Sequence, residues 1–500
     1  MTFRTRSHTR QLTLPRLPLV LSVWLALACG SWALLRGVEY VLLALRYAAP
    51  LDGQEGMALW EAALLRNSLG LYLPVVPSYF VSAPYPPLHP VLLAVFGPST
   101  TPHLFWAGRV ISLVAALLVA VCGFGLVRRV TGSKQGGVSS AVLILAFAPV
   151  QLWAMRIKPD MVGLALTIAG LWLVARWPGE PAIADGRGTA RRAWKLPSAT
   201  LVAAASAFVL AHFTKQTLLA GPLAAATFLM LHDWRLAVRW GLLYLLLLAG
   251  TWLLLDLVTH GQYTYHIWVL HKLQWSGDRF WKLASQLRDM WPLLVLGLIG
   301  LVVCRRQPTV INAYLLWAPA SLIGAGVVGS HHNHLLETGV ALVLAGGQAV
   351  GLGMMSGGTL RVLAPVLIGT QLLFWRVPLP WFAGDFQPDL RYSRYIDYVR
   401  ATPGEVLADD VGLVYAAGRP LFYDDPAAMG PAAVLGLWDQ RQFVADIRAK
   451  RYSAIILPIN VFEDGLIDPS ARWTPEMLQA VKDAYTVKFK DTLIIYAPRP

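Results

Sequence analysis

Long apolar runs separated by short polar connections dominate the first three quarters of the chain. A helix that crosses a bilayer needs roughly 20 mostly apolar residues. On that measure spans are expected near 17–36, 104–127, 137–155, 160–177, 198–213, 216–231, 237–257, 290–304, 309–328, 335–354 and 361–376. The first run follows a basic leader. It continues through Ser31-Trp32-Ala33-Leu34-Leu35, past the signal-like Leu27-Ala28-Cys29, so it reads as a retained span. After residue 377 the pattern changes. Ser453–Pro458 and Thr492–Tyr496 read as buried strands, and 438–450 and 474–485 as amphipathic helices. The expected fold class is an all-α polytopic membrane domain of about eleven transmembrane helices, residues 1–376, with a small C-terminal α/β extracytoplasmic domain, residues 377–500.

Composition agrees with this. Hydrophobic residues make up 56% and charged residues 14% of the 500, and the mean hydropathy is +0.53, which excludes a soluble, disordered or disulfide-framed chain. The formal net charge of +14 invites a nucleic-acid reading until it is divided by region. Residues 377–500 hold 13 Lys/Arg and 16 Asp/Glu, so the whole excess lies among the apolar spans. There it is an orientation signal, and nucleic acid is not a partner. Sixteen basic residues on one set of connections, from Arg4 to Arg361, face nine on the longer opposite set. This puts the N-terminus in the cytoplasm and, after an odd number of spans, the C-terminal domain outside a plasma (inner) membrane. Cys29, Cys122 and Cys304 lie in apolar runs with no metal or redox spacing.

Polar chemistry gathers on the outer rim. Nine of eleven histidines and most acids of the membrane part map to outer loops or span ends. A transporter would place such groups near mid-span. The first outer loop, 47–103, opens Pro50-Leu51-Asp52-Gly53-Gln54-Glu55-Gly56. Met57, Leu59, Trp60, Ala63 and Leu64 then form an apolar stripe at helical spacing, with Glu61 and Arg66 off it. This predicts an amphipathic helix in the membrane interface. Gly70-Leu71-Tyr72 ends it, and Pro84-Tyr85-Pro86-Pro87-Leu88-His89-Pro90 leads into a second short helix at 91–96.

These features resemble GT-C glycosyltransferases, nearest the protein-mannosyltransferase-like branch (family 39 and its relatives, including the lipid A aminoarabinose transferases). Three later segments resemble that family as well. Arg156-Ile157-Lys158-Pro159-Asp160 looks like its second outer acidic motif, and His212-Phe213-Thr214-Lys215-Gln216 like its T-K turn. Gly329-Ser330-His331-His332-Asn333-His334-Leu335-Leu336-Glu337 looks like the S-x-x-N-x-x-L-E segment of some bacterial members. The resemblance covers about residues 15–355. Two departures stand out: the family's Asp-Glu pair is Gln54-Glu55 here, with Asp52 two residues earlier, and the lysine before the double proline is Tyr85.

The resemblance implies a polyprenyl-phosphate-sugar donor at the outer face and a lipid, protein or polysaccharide acceptor, with membrane lipids around the protein. Transfer needs a carboxylate to take the acceptor proton and cations to stabilise the departing phosphate. Glu55 and Asp52 are the candidate bases, with Asp160 as partner. Lys215, Arg156 and Lys158 are the candidate phosphate contacts. Tyr85, His89, His331, His332, Asn333, His334 and Glu337 are expected to line the substrate cavity. A base with no covalent intermediate implies inversion at the anomeric carbon. No cofactor is called for; H-H-x-H is not a standard ligand spacing, and it leaves a divalent metal open. The alternatives from other classes are a transporter or flippase of lipid-linked sugars and a non-catalytic binder of them.

Overall fold

The computed structural model describes residues 16–97, 105–177, 197–327, 329–356, 359–376, 392–464, 466–468 and 471–500. Every one of the eleven expected spans carries a helix. The first ten helices in chain order are α1 (Arg16–Arg46), α2 (Glu55–Arg66), α3 (Leu88–Phe96), α4 (Trp106–Thr131), α5 (Lys134–Ala146), α6 (Ala148–Trp153), α7 (Asp160–Ala175), α8 (Ala199–His212), α9 (Ala220–His232) and α10 (Trp234–Val258). Further helical spans follow at Trp291–Val303, Val310–Trp317, Leu335–Ser356 and Leu360–Arg376. Five helical stretches among the described residues are long and apolar enough to cross a membrane, and five shorter apolar ones accompany them. The chain is a multi-pass membrane protein. The cytoplasmic basic cluster at 187–195, the residues before 16 and the expected domain boundary at 376/377 lie outside the described residues.

Burial separates the spans by role. The stretch His332–Met354 is buried throughout its apolar window, whereas Trp234–Val258 is almost wholly open, with Leu246, Leu254 and Leu257 pointing outward. The first is the axis of the bundle; the second is a lipid-facing wall. Local signals set the ends. Asp233 caps α10 by accepting from the Arg235 and Leu236 amides, and Thr309 forms a capping box with Asn312 before the 310–317 helix. The first helix runs ten residues beyond its expected end at 36. The run Val38–Leu45 is itself apolar, and its end is held by Arg109, which donates to the carbonyls of Ala44 and Tyr47.

The C-terminal part forms a four-stranded sheet, β1 (Glu405–Ala408), β2 (Tyr452–Leu457), β3 (Tyr485–Lys490) and β4 (Ile494–Pro498), in the order β1-β2-β4-β3. The β1/β2 pair is parallel; β2/β4 and β3/β4 are antiparallel. Helices at Tyr392–Ala401, Val411–Ala416, Pro426–Val434, Arg441–Arg448 and Pro475–Ala484 accompany it.

This domain sits directly on the first outer loop. Phe80 N–H donates to Phe422 O, Asp424 N–H to Phe80 O, and Ser82 N–H to Asp424 Oδ1. Helix α2 is caught between α3 and the 411–416 helix. Its apolar stripe is therefore covered by protein instead of lipid, and Glu61, expected on the polar side, is buried as well. The interfacial placement expected for α2 is corrected on that ground: its outer side meets Gly412, not solvent or bilayer. At the closest approach a Cβ on Gly56 would lie 2.3 Å from Gly412 Cα, so only glycine pairs here. In contrast, α3 leaves Val91, Val95 and Phe96 exposed, as an interfacial helix would.

Candidate active site

Three segments at the ends of the spans converge beneath the C-terminal domain. The Asp52–Glu55 turn precedes α2, the Arg156–Asp160 segment links α6 to α7, and the Phe213–Gln216 turn links α8 to α9. Backbone bonds fix their register. Ile157 N–H donates to Glu55 Oε1 and Ser112 Oγ to Arg156 O; Leu88 N–H donates to Phe213 O and Gln216 Nε2 to Pro84 O. The last two bonds bring the segment carrying Tyr85 and His89 against the Phe213–Gln216 turn, with both side chains within electrostatic reach of Asp160.

Two ion-paired groups form the floor. Lys158 Nζ lies 3.0 Å from Asp52 Oδ1 and donates to Gln54 Oε1, while Arg156 Nη1 lies 3.5 Å from Asp52 Oδ2 over the face of Trp153. Burial alone would raise the Asp52 carboxyl, but Lys158 and Arg156 hold it well below the usual carboxylate range. Asp160 is the first residue of α7, where the helix N-terminus favours an anion. Lys215 Nζ lies 2.5 Å from its Oδ1, and Asn333 Nδ2 donates to the same oxygen. A cavity of about 20 Å³ opens there among Asp160, Lys215, Asn333, His334 and Glu337. Tyr85 stands between the two groups. Burial pushes its phenol well above the ordinary value, and Asp160 and Asp52 push it further.

Glu55 lies three residues from Asp52 and is entirely enclosed. Its Oε2 accepts from Leu51 N–H and from Arg109 Nη2 at 3.0 Å, and its Oε1 accepts from Ile157 N–H. Both side chains of the Glu55–Arg109 pair are fully buried. Of the two candidate bases, only Asp52 faces the cations. Arg109 was not singled out in the sequence because it sits inside an apolar run; one charge nineteen residues from the nearest other in that run, Arg128, was the available signal.

Of the residues expected to line a substrate cavity, Asn333, His334 and Glu337 line the one beside Asp160, whereas Tyr85, His89, His331 and His332 are not among its lining residues. His89 is buried, and burial brings it down to about 4. His331 Nδ1 and His332 Nδ1 lie 2.8 Å apart against Trp153, whereas His334 turns its ring to Ser321 O. Glu337 accepts from Tyr314 O–H at 3.2 Å. Among the described residues no three His, Cys, Asp or Glu side chains come together as a metal site. The histidine cluster does not fit one, and no step is routed through a metal.

An all-helical multi-pass domain carries charged loops under a small α/β cap, an architecture shared with solved structures of ArnT and AglB. The chain has that fold. It superposes on ArnT from Cupriavidus metallidurans in the apo state with a TM-score of 0.59 at 14% identity, and on the same protein bound to undecaprenyl phosphate with 0.58 at 16%; each match covers 96% of this chain and 97% of the other. AglB, the oligosaccharyltransferase of Archaeoglobus fulgidus in complex with an inhibitory peptide and a dolichol-phosphate, matches with 0.52 at 12%, covering 95% of this chain and 74% of AglB. No family model and no curated protein sequence matches the chain.

Proposed function

We propose that the protein is a membrane glycosyltransferase that moves a sugar from a polyprenyl-phosphate donor to a hydroxyl acceptor, with inversion, at the outer face of the plasma membrane. The N-terminus is then cytoplasmic and the domain after residue 377 extracytoplasmic. The observation that carries this reading is the outer ledge on which Asp52 meets Lys158 and Arg156 beside the Asp160–Lys215 pair. Three cations face two carboxylates, a surplus of one positive charge, which suits a phosphate. ArnT and AglB, whose structures hold undecaprenyl phosphate and a dolichol-phosphate, share the fold.

In this reading the donor phosphate engages Lys158, Arg156 and Lys215. The hold of Lys158 and Arg156 on Asp52 then weakens, so its basicity rises at the step that needs it. The acceptor oxygen bonds to the anomeric carbon and its proton passes to Asp52. The carbon–oxygen bond to phosphate breaks with its electron pair leaving on polyprenyl phosphate. Glu55 and Arg109 hold the ledge together and do not touch substrate. Asn333, His334 and Glu337 line the cavity.

The test is release of polyprenyl phosphate by purified protein given a panel of polyprenyl-phosphate sugars and an envelope acceptor extract. Release with one donor, lost in Asp52→Asn, supports the reading. Lipid binding without release from any donor overturns it in favour of a binder or transporter.

A further inference from the structure

The C-terminal domain reaches the ledge at Asp410. Asp410 caps the 411–416 helix, its Oδ1 accepting from Gly412 N–H. The 410–412 turn stacks on the 50–53 turn: a Cβ built on Gly53 would lie 3.8 Å from the Asp410 carboxyl carbon, and one built on Gly412 would lie 3.0 Å from Pro50. The Asp410 carboxyl therefore packs on the Gly53 side of the turn at ordinary van der Waals distance. One residue on either side of that seat are Asp52, held by Lys158 and Arg156, and Gln54, which receives Lys158.

We propose that Asp410 is a positioning residue for the catalytic ledge: from the C-terminal domain it presses on the Asp52–Gly53 turn and keeps Asp52 aligned with Lys158 and Arg156. The inference rests on the glycosyltransferase reading for its kinetic consequences and stands on geometry for the rest.

Charged groups surround Asp410. On its own segment is Asp409, which pairs with Arg472 at 2.5 Å and accepts from Trp473 Nε1. From the first outer loop come Asp52 and Glu55, with Lys158 and Arg156 beyond Asp52. Burial raises the Asp410 carboxyl to about 7, and Asp409, Asp52 and Glu55 add to the rise. Below that value the group is a neutral acid. Above it a further negative charge arrives next to Asp52, whose Lys158 and Arg156 partners are meant for phosphate, so phosphate binding weakens as pH rises through 7. Asp52 gives no such limb near neutrality, because it stays ionised far below.

The experiment compares wild type, Asp410→Asn and Asp410→Ala in full-length, detergent-solubilised protein. A short-chain polyprenyl phosphate is the binding probe at pH 6, 7 and 8, with transfer followed in parallel. At pH 6 wild type and Asp410→Asn should bind alike. At pH 8 Asp410→Asn should bind roughly three- to tenfold tighter, the weight of one extra charge in a partly screened site. Titration of the probe's own phosphate cancels in the comparison. Asp410→Ala should lower kcat at unchanged KM, with Asp410→Asn restoring kcat, since asparagine keeps both cap and seat. Identical binding profiles for wild type and Asp410→Asn would overturn the proposal, whether or not transfer is seen. Absence of transfer in wild type, with the pH difference in binding intact, would instead sink the glycosyltransferase reading alone.

Discussion

The two ends of the Asp52–Glu55 turn are built in opposite ways. At Glu55 every carboxylate oxygen is taken, by the Leu51 and Ile157 amides and by Arg109, and nothing is open to a ligand. At Asp52 the partners are two cationic side chains that a phosphate could claim, and the side chain keeps some exposure. Both are ion pairs, but their energetics differ. A sealed pair must be complete, because losing one member strands a charge in a dry interior. A pair at a cavity edge can exchange partners at little cost, and that exchange is what transfer chemistry requires. The charge that looks most committed is the scaffold; the one with replaceable partners is the candidate for function.

Four outcomes would sharpen or break this contrast. Asp52→Asn should lower transfer by about 10²–10⁴-fold, the usual weight of a general base, while thermal unfolding stays near wild type; a large loss of stability would erase the distinction. Glu55→Ala should destabilise the protein by about 3–5 kcal/mol by orphaning Arg109. Size-exclusion and thermal unfolding in detergent would read this, and the double variant Glu55→Gln with Arg109→Met should recover much of the loss. Gly56→Val should cost about 1–3 kcal/mol as overpacking against Gly412 and expose the C-terminal domain to protease. Lys158→Met, the mildest, should weaken donor binding about tenfold, near 1.4 kcal/mol, with little change in folding.

Much of this was legible in the chain. The eleven helices follow from apolar runs, and Asp52, Lys158, Asp160 and Lys215 stand out as charges at span ends in short outer segments. The division of labour between Asp52 and Glu55 was not legible, because it depends on Arg109, whose carbonyl partners at Ala44, Tyr47 and Ala49 lie some sixty residues away. The burial of Glu61 was hidden for a similar reason. Asp424 and Asp425, which crowd it and raise its carboxyl after burial itself does, belong to the far domain. Strands β1 and β3 escaped notice too: β1 is four residues long, and β3 has only Tyr485 buried. Local pattern reports what a segment buries in lipid or in its own helix; it is silent about surfaces completed by a segment 350 residues later.

The pairing of Gly56 with Gly412 has a consequence for biogenesis. The ledge emerges early in synthesis, with its loop among the first hundred residues, yet the surface that clamps it is made near the end. Until the last strands have joined the sheet, α2 has no lid, and its apolar face and buried acids are open to water and to quality-control factors. A nascent chain is thus inactive by construction, and a C-terminal truncation should be recognised as unfinished through the first loop and not through the missing tail.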